Sequence, residues 1–158
     1  MRTVWFATLV LLVGSFIASA RDTEPQGQNE TYVSAGELAS KVVQTVSGIG
    51  YQIPSSPGYK VLMIQRDKTG DAEVHAELND TIIVEQGRGR FLVGGQITGN
   101  HLIRPNEWRG GDMNGAREYD VSVGDLLLIP AGIPHKAILT SGTFTYLTIK
   151  TPREHPAP

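Results

Sequence analysis

The chain has 158 residues, a formal net charge of −2 and no cysteine. That length fits one ordinary domain. The missing cysteine removes disulfides, thiolate nucleophiles and cysteine metal sites, so stability must come from packing, and the charge offers no basic footprint for nucleic acid.

The first segment is a leader. Met1-Arg2-Thr3 is short and positively charged, Val4 to Ile17 is almost wholly apolar, and Ala18-Ser19-Ala20 has the small-x-small form of a cleavage site. This is the layout of a secretory signal peptide over residues 1–20. The alternative is a retained membrane anchor, but the apolar run falls short of the roughly 20 residues a span needs and no basic stop-transfer cluster follows. The expected mature chain begins near Arg21, in a secreted or periplasmic setting, with no membrane contact after cleavage. Residues 21–31 are polar, contain Pro25-Gln26-Gly27-Gln28, and read as a flexible leader.

One helix follows. Ser34 can cap it, Glu37 completes a capping box, and Val33 and Leu38 are spaced as a hydrophobic staple. Leu38, Val42 and Val46 form an apolar stripe that Ser47-Gly48-Ile49-Gly50 ends. Beyond the loop at Ile53–Gly58 come eight strand-like runs: Tyr59–Gln65, Asp71–Leu78, Thr81–Glu85, Arg90–Val93, Tyr119–Val121, Leu126–Ile129, Lys136–Leu139 and Phe144–Lys150. Turn residues separate them, drawing on eighteen glycines and nine prolines. The pattern is all-β, a double-sheet sandwich or small barrel with one short N-terminal helix. Pro105 to Gly115 reads as the one long irregular insertion, either a binding loop or a passive connection. The domain is expected over residues 32–151, and 152–158 reads as a disordered tail in which His155 is inert. His101 belongs to no motif and reads as a surface residue.

The most constrained stretch is Gly124-Asp125-Leu126-Leu127-Leu128-Ile129-Pro130-Ala131-Gly132-Ile133-Pro134-His135. A turn and a short apolar strand lead into a Pro/Gly bend, and the bend aims a histidine. This segment resembles the second motif of the cupin family, G-x5-P-x-G-x2-H-x3-N, with Gly124, Pro130, Gly132 and His135 matching and Leu139 standing where Asn is usual. The first cupin motif, G-x5-H-x-H-x3,4-E-x6-G, is degenerate: Asp80 and Gly87 keep the last spacing, His75 is the second histidine, and Glu73 replaces the first. A register using His75 and Glu77 breaks the family spacing. The resemblance covers Tyr59 to Lys150, and the chain is similar to small secreted single-domain cupins with E-x-H-x4-D and IPAG-x-PH segments.

That resemblance implies a double-stranded β-helix, or jelly-roll barrel, in which Glu73, His75, Asp80 and His135 converge on one divalent metal ion. Glu73 and His75 lie two apart and so share one strand face. Two carboxylates inside a small barrel repel and suffer desolvation, and a cation relieves both costs. Mixed nitrogen and oxygen donors suit Fe, Mn, Ni or Zn, with Cu also admitted. The alternatives are that Glu73 faces solvent, that Asp80 is only a turn residue, or that the barrel holds no metal. If Asp80 and His135 point inward, so do Ile82, Val84, Ala137 and Leu139, which predicts a largely apolar pocket beyond the ligands. Glu77 would share the face of Glu73 and His75, as a rim base or a solvated charge. Asn29-Glu30-Thr31 and Asn79-Asp80-Thr81 match the glycosylation sequon by pattern alone.

Neither a nucleophile triad nor a phosphate-cradling glycine loop is present, so chemistry would run through the metal. The first reading is a secreted metal-dependent enzyme, an oxygenase or oxidase, isomerase or lyase, acting on a small-molecule substrate. The alternative is a non-catalytic small-ligand-binding module or a structural jelly roll, with a homodimer as a further arrangement.

Overall fold

The computed structural model describes residues 31–44, 50–55, 58–140 and 142–154. The expected leader at 1–20, residues 21–30 with the Asn29 sequon pattern, the side chain of Val42, Val46, the expected helix stop at 47–49 and His155 lie outside these. Among the described residues, none lies in a helix long and apolar enough to cross a membrane.

Ser34 caps helix α1 (Ala35–Gln44). Its hydroxyl accepts a hydrogen bond from the Glu37 amide at 3.2 Å, and its carbonyl accepts one from the Leu38 amide at 3.0 Å. Thirteen strands follow among the described residues. They are β1 (Tyr51–Ile53), β2 (Lys60–Arg66), β3 (Ala72–His75), β4 (Leu78–Gln86), β5 (Arg88–Val93), β6 (Gln96–Ile97) and β7 (His101–Arg104), then β8 (Glu107–Gly110), β9 (Met113–Asn114), β10 (Arg117–Ser122), β11 (Leu126–Ile129), β12 (His135–Leu139) and β13 (Phe144–Pro152). A five-stranded sheet runs in the order β1-β2-β13-β4-β11, and a six-stranded sheet in the order β10-β5-β12-β3-β8-β7. All pairings are antiparallel, and β6 and β9 form a separate ribbon. Helix α1 lies against β2, with the Lys41 ammonium 5.4 Å from the Tyr51 ring centre. The result is a jelly-roll barrel.

The chain changes sheets at tight corners. Gly87 joins β4 to β5 at φ 75°, and a Cβ there would come within 2.1 Å of the Thr143 carbonyl oxygen, so only glycine fits. On β4 the alternation turns Asp80, Ile82 and Val84 inward and buries all three. On β13 the same rule turns Phe144, Tyr146, Thr148 and Lys150 inward. Register then pairs Lys150 with Asp80, Thr148 with Ile82 and Tyr146 with Val84.

The core is one apolar cluster that includes Ile82, Val84, Phe91, Ile129, Ala137, Phe144 and Tyr146. Phe91 meets Tyr146 edge-on with ring centres 5.5 Å apart, and Phe144 at 6.0 Å. These rings fill one part of the barrel interior and leave the rest to polar side chains.

Two expectations need correction. Asp71–Leu78 is not one strand: the chain bends at Ala76 and Glu77, where the Ala76 amide donates to the Asn106 carbonyl at 2.9 Å and the Glu77 carbonyl accepts from the Arg153 amide at 2.8 Å. The bend removes Glu77 from the face that Glu73 and His75 share. Pro105–Gly115 is not an irregular insertion either. Glu107–Gly110 forms β8, paired along its length with β3, and Met113–Asn114 pairs with Gln96–Ile97. Charged Glu107 and Arg109 on a barrel strand break the apolar alternation by which strands are recognised.

Gly89 on β5 sits against the Phe144 ring, and a Cβ there would lie 2.6 Å from a ring carbon. Because that ring is fully buried, Gly89→Ala is expected to cost about 1–3 kcal/mol of stability. Denaturant unfolding reads this as a lowered midpoint at unchanged slope.

Candidate metal centre

Strand pairing builds the cluster. β12 runs between β3 and β5, and His135 stands directly opposite Glu73. The bend before it is tied down at two points. The Gly132 amide donates to the His75 carbonyl at 2.8 Å, and the Ala131 amide donates to Asn79 Oδ1 at 3.0 Å. Asn79 Nδ2 in turn donates to the Pro152 carbonyl at 3.2 Å, so this sequon asparagine is spent on pinning the corner. The constrained bend thus aims His135 at the strand carrying His75, while Asp80 arrives from the facing sheet.

All four sequence-chosen residues come together. His135 Nε2 lies 3.5 Å from Glu73 Oε1 and 3.2 Å from Asp80 Oδ2, and His75 Nε2 lies 3.8 Å from Glu73 Oε2 and 3.5 Å from Asp80 Oδ2. The edges of a coordination shell with bonds near 2.1 Å are about 3.0–3.4 Å. One donor atom each from Glu73, His75 and His135 lies within 4.8 Å of the others. His75, Asp80 and His135 are buried, and Glu73 is half-buried.

Ring tautomers follow from the surroundings. His135 Nδ1 donates to the Ile133 carbonyl at 3.1 Å, which turns Nε2 toward the cluster. His75 Nδ1 faces Glu107 Oε2 at 3.9 Å. Both rings present Nε2 to the cluster; His135 has the outer hydrogen bond that orients metal-bound histidines, and His75 has the Glu107 carboxylate behind it beyond hydrogen-bond distance. The donor set and its geometry fit a divalent first-row ion.

Sequence reasoning missed six residues: Glu107, Arg104, Arg109, Arg66, Tyr146 and Lys150. Glu107, buried on β8, receives Arg104 and Arg109, and Arg109 Nη2 also reaches Glu73 Oε2 at 3.2 Å. Arg66 Nε donates to the Tyr146 hydroxyl at 2.8 Å. Of these Lys150 matters most: its ammonium donates to both Asp80 oxygens at 2.7 and 2.8 Å and to His75 Nε2 at 2.8 Å. Its place in the Phe144, Tyr146, Thr148 alternation marked it as inward-facing; its partner was not readable without the register.

A cavity of about 390 Å³ opens onto the cluster. Ile82 and Ala137 line it, whereas Val84 and Leu139 belong to the apolar packing beneath. Phe91 and Tyr146 stand between the two regions, which keeps Val84 and Leu139 from the lining. The cavity is also not largely apolar. Arg66, Arg104, Arg109 and Lys150 contribute cationic groups from strands, and Lys68 from the turn after β2, beside the carboxylates of Asp71, Glu73, Asp80 and Glu107.

Protonation follows from burial and charge. Burial by itself raises the Glu73 and Asp80 carboxyls, but the hydrogen bond from His135 and the charges of His135 and Lys150 outweigh it and hold both below the usual range. Burial and the Lys150 charge depress His75, leaving a neutral ring. For His135 burial opposes the charge, yet the two carboxylates prevail and raise it to about 9. Burial pushes the Tyr146 phenol up to about 12, so it stays protonated.

No protein-family model matches the sequence and no curated protein matches it, so the likeness to known proteins lies in the fold. A hydroquinone 1,2-dioxygenase from Sphingomonas sp. TTNP3, with 4-hydroxybenzoate bound, aligns at a TM-score of 0.56 and 6% identity over 75% of this chain and 73% of its own. The hydroquinone 1,2-dioxygenase PnpCD, in complex with Cd²⁺ and 4-hydroxybenzonitrile, aligns at 0.55 and 12% over 82% of each chain. A cupin-2 domain containing protein from Shewanella frigidimarina aligns at 0.52 and 14% over 77% of this chain and 94% of its own. The chain has the double-stranded β-helix fold of the cupin superfamily.

His135 sets a pH dependence. Its folded pKa of about 9 exceeds the ordinary 6.5, so the protonated ring stabilises the chelator-treated protein fully below that ordinary value. The contribution fades as pH rises through the folded value. Thermal midpoints across that window should fall, and the fall should be shallower in His135→Gln.

Proposed function

We propose that this chain is an exported, metal-dependent cupin enzyme that transforms a small molecule held in the barrel cavity. The observation that carries this reading is the convergence of His75 Nε2, His135 Nε2 and the Glu73 carboxylate within 4.8 Å. Two imidazoles and a carboxylate with open positions suit Fe²⁺ above all, and also Mn²⁺, Ni²⁺, Zn²⁺ or Cu²⁺. An ion held there supplies Lewis acidity or a centre for dioxygen. The fold supports the reading, because PnpCD is in complex with Cd²⁺ and 4-hydroxybenzonitrile.

The chain's own residues prepare the site. The Ile133 carbonyl orients the His135 ring, Glu107 places a carboxylate behind His75, and Arg109 steadies Glu73. Tyr146 keeps its phenolic proton beside the cavity. The lining sets Arg66, Lys68, Arg104, Arg109 and Lys150 against Asp71, Glu73, Asp80 and Glu107, a nearly balanced charged wall that favours a small polar substrate. Oxidation by dioxygen is the first reaction class, with isomerisation and lyase chemistry following from the same centre.

A second reading, a binding barrel without turnover, draws on Lys150, whose ammonium already neutralises Asp80. For self-association, Leu126 and Leu128 on edge strand β11 are 60% and 64% exposed, an apolar edge on which two copies would close as a homodimer.

Elemental analysis of protein purified without added metal or affinity tag tests the centre. Near-stoichiometric metal is expected in the parent, with affinity lowered more than about 100-fold in His135→Ala, beyond the 10–100-fold that losing an outer partner costs. Metal retained by that variant would sink the site. Dioxygen consumption with a substrate separates turnover from binding. Export predicts a mature N-terminus at Arg21, read by mass spectrometry of the protein recovered outside the cytoplasm.

A further inference from the structure

Of the two carboxylates facing the histidines, one is held far more firmly than the other. Asp80 and Lys150 are register partners on adjacent strands, so the sheet itself sets their approach. An ammonium has three donors and no acceptor, and here all three are spent: two on the Asp80 oxygens and one on His75 Nε2. The Asp80 side chain is 2% exposed and that of Lys150 13%, so water solvates neither charge well enough to stand in for its partner. Separating them would leave a buried charge unpaired. Glu73 is held differently, by an Arg109 side chain that is 41% exposed and shared with Glu107. Glu73 can exchange its partner for another cation at small cost; Asp80 cannot.

Resting on the metal-centre reading above, we propose that Lys150 sets the coordination number and strength of this centre by withholding Asp80 from the ion. The protein then donates Glu73, His75 and His135, and the position Asp80 would have filled is left to water or substrate. Lys150 also competes directly. The lone pair of His75 Nε2 serves either the ammonium or a metal, so an entering ion must take that nitrogen from Lys150 while being repelled by its charge. Lys150 acts as a positioning residue, spending affinity on an open coordination shell.

Mn²⁺ is a suitable probe, because its affinity and its coordinated water are both measurable, the latter through water-proton relaxation. At one fixed pH, Lys150→Met should bind Mn²⁺ at least about tenfold tighter than the parent, and its complex should relax water protons as one with fewer exchangeable waters. Adding Asp80→Asn to Lys150→Met should return the water relaxation to that of the parent complex and remove the part of the affinity gain that Asp80 supplies, leaving only the part that comes from freeing His75 Nε2 and deleting the ammonium charge. Unchanged or weaker binding with unchanged relaxation in Lys150→Met would overturn the inference while leaving the metal centre standing. A parent that binds no Mn²⁺ beside a variant that does would support the inference, with Lys150 excluding the ion outright, and would refute the proposed function. Binding by neither refutes both. Lys150→Gln repeats the series if Lys150→Met fails to unfold cooperatively.

Discussion

Two carboxylates meet the same pair of imidazoles inside the barrel, and much of the chain's polar interior is arranged around that repulsion. Glu73 comes from one sheet and Asp80 from the other, and His135 Nε2 lies 3.5 Å and 3.2 Å from them. In a poorly solvated interior such a cluster is tolerable only with compensating positive charge. Lys150 supplies it to Asp80, Arg109 to Glu73, and a protonated His135 to both. A divalent ion would do the same work from the centre, which is why the cluster that needs cations is also one suited to hold one. Because β3 and β12 belong to one sheet and β4 and β13 to the other, these contacts also bind the two walls together.

The barrel divides its labour along its interior. Phe91, Phe144 and Tyr146 pack one region without a gap, to the point that Gly89 must lack a side chain. That region supplies most of the apolar burial. The other region can then carry ionised groups whose desolvation works against folding. Ile82 and Ala137 lie at the seam, counted in the core and lining the cavity. Strand alternation explains the continuity: residues two apart on β4 pass from Asp80 through Ile82 to Val84, from charge to boundary to core.

Where a strand's alternation was regular and its ends were marked by turn residues, the sequence was readable. The Gly124–His135 segment showed a bend that aims a histidine, and β4 and β12 showed their inward faces. Legibility failed where charge sat on barrel strands. Glu107 and Arg109 hid β8, and the resulting cavity proved polar. It failed also at the bend after His75, which no glycine or proline announces, so Glu77 was placed on a face it does not share.

By itself the sequence determined the local facts, which positions turn inward and where corners fall, while the grouping of Glu73, His75, Asp80 and His135 came from the resemblance to the cupin motifs. Those local facts depend on spacing along a single strand or turn, whose periods are two residues and a few bonds. Tertiary structure alone decided which inward residues meet. Lys150 stands on Asp80 because β13 pairs with β4 in one register, and Glu107 stands behind His75 because β8 pairs with β3. Their partners lie 70 and 32 positions away, and a shift of one residue would turn each side chain to the other face.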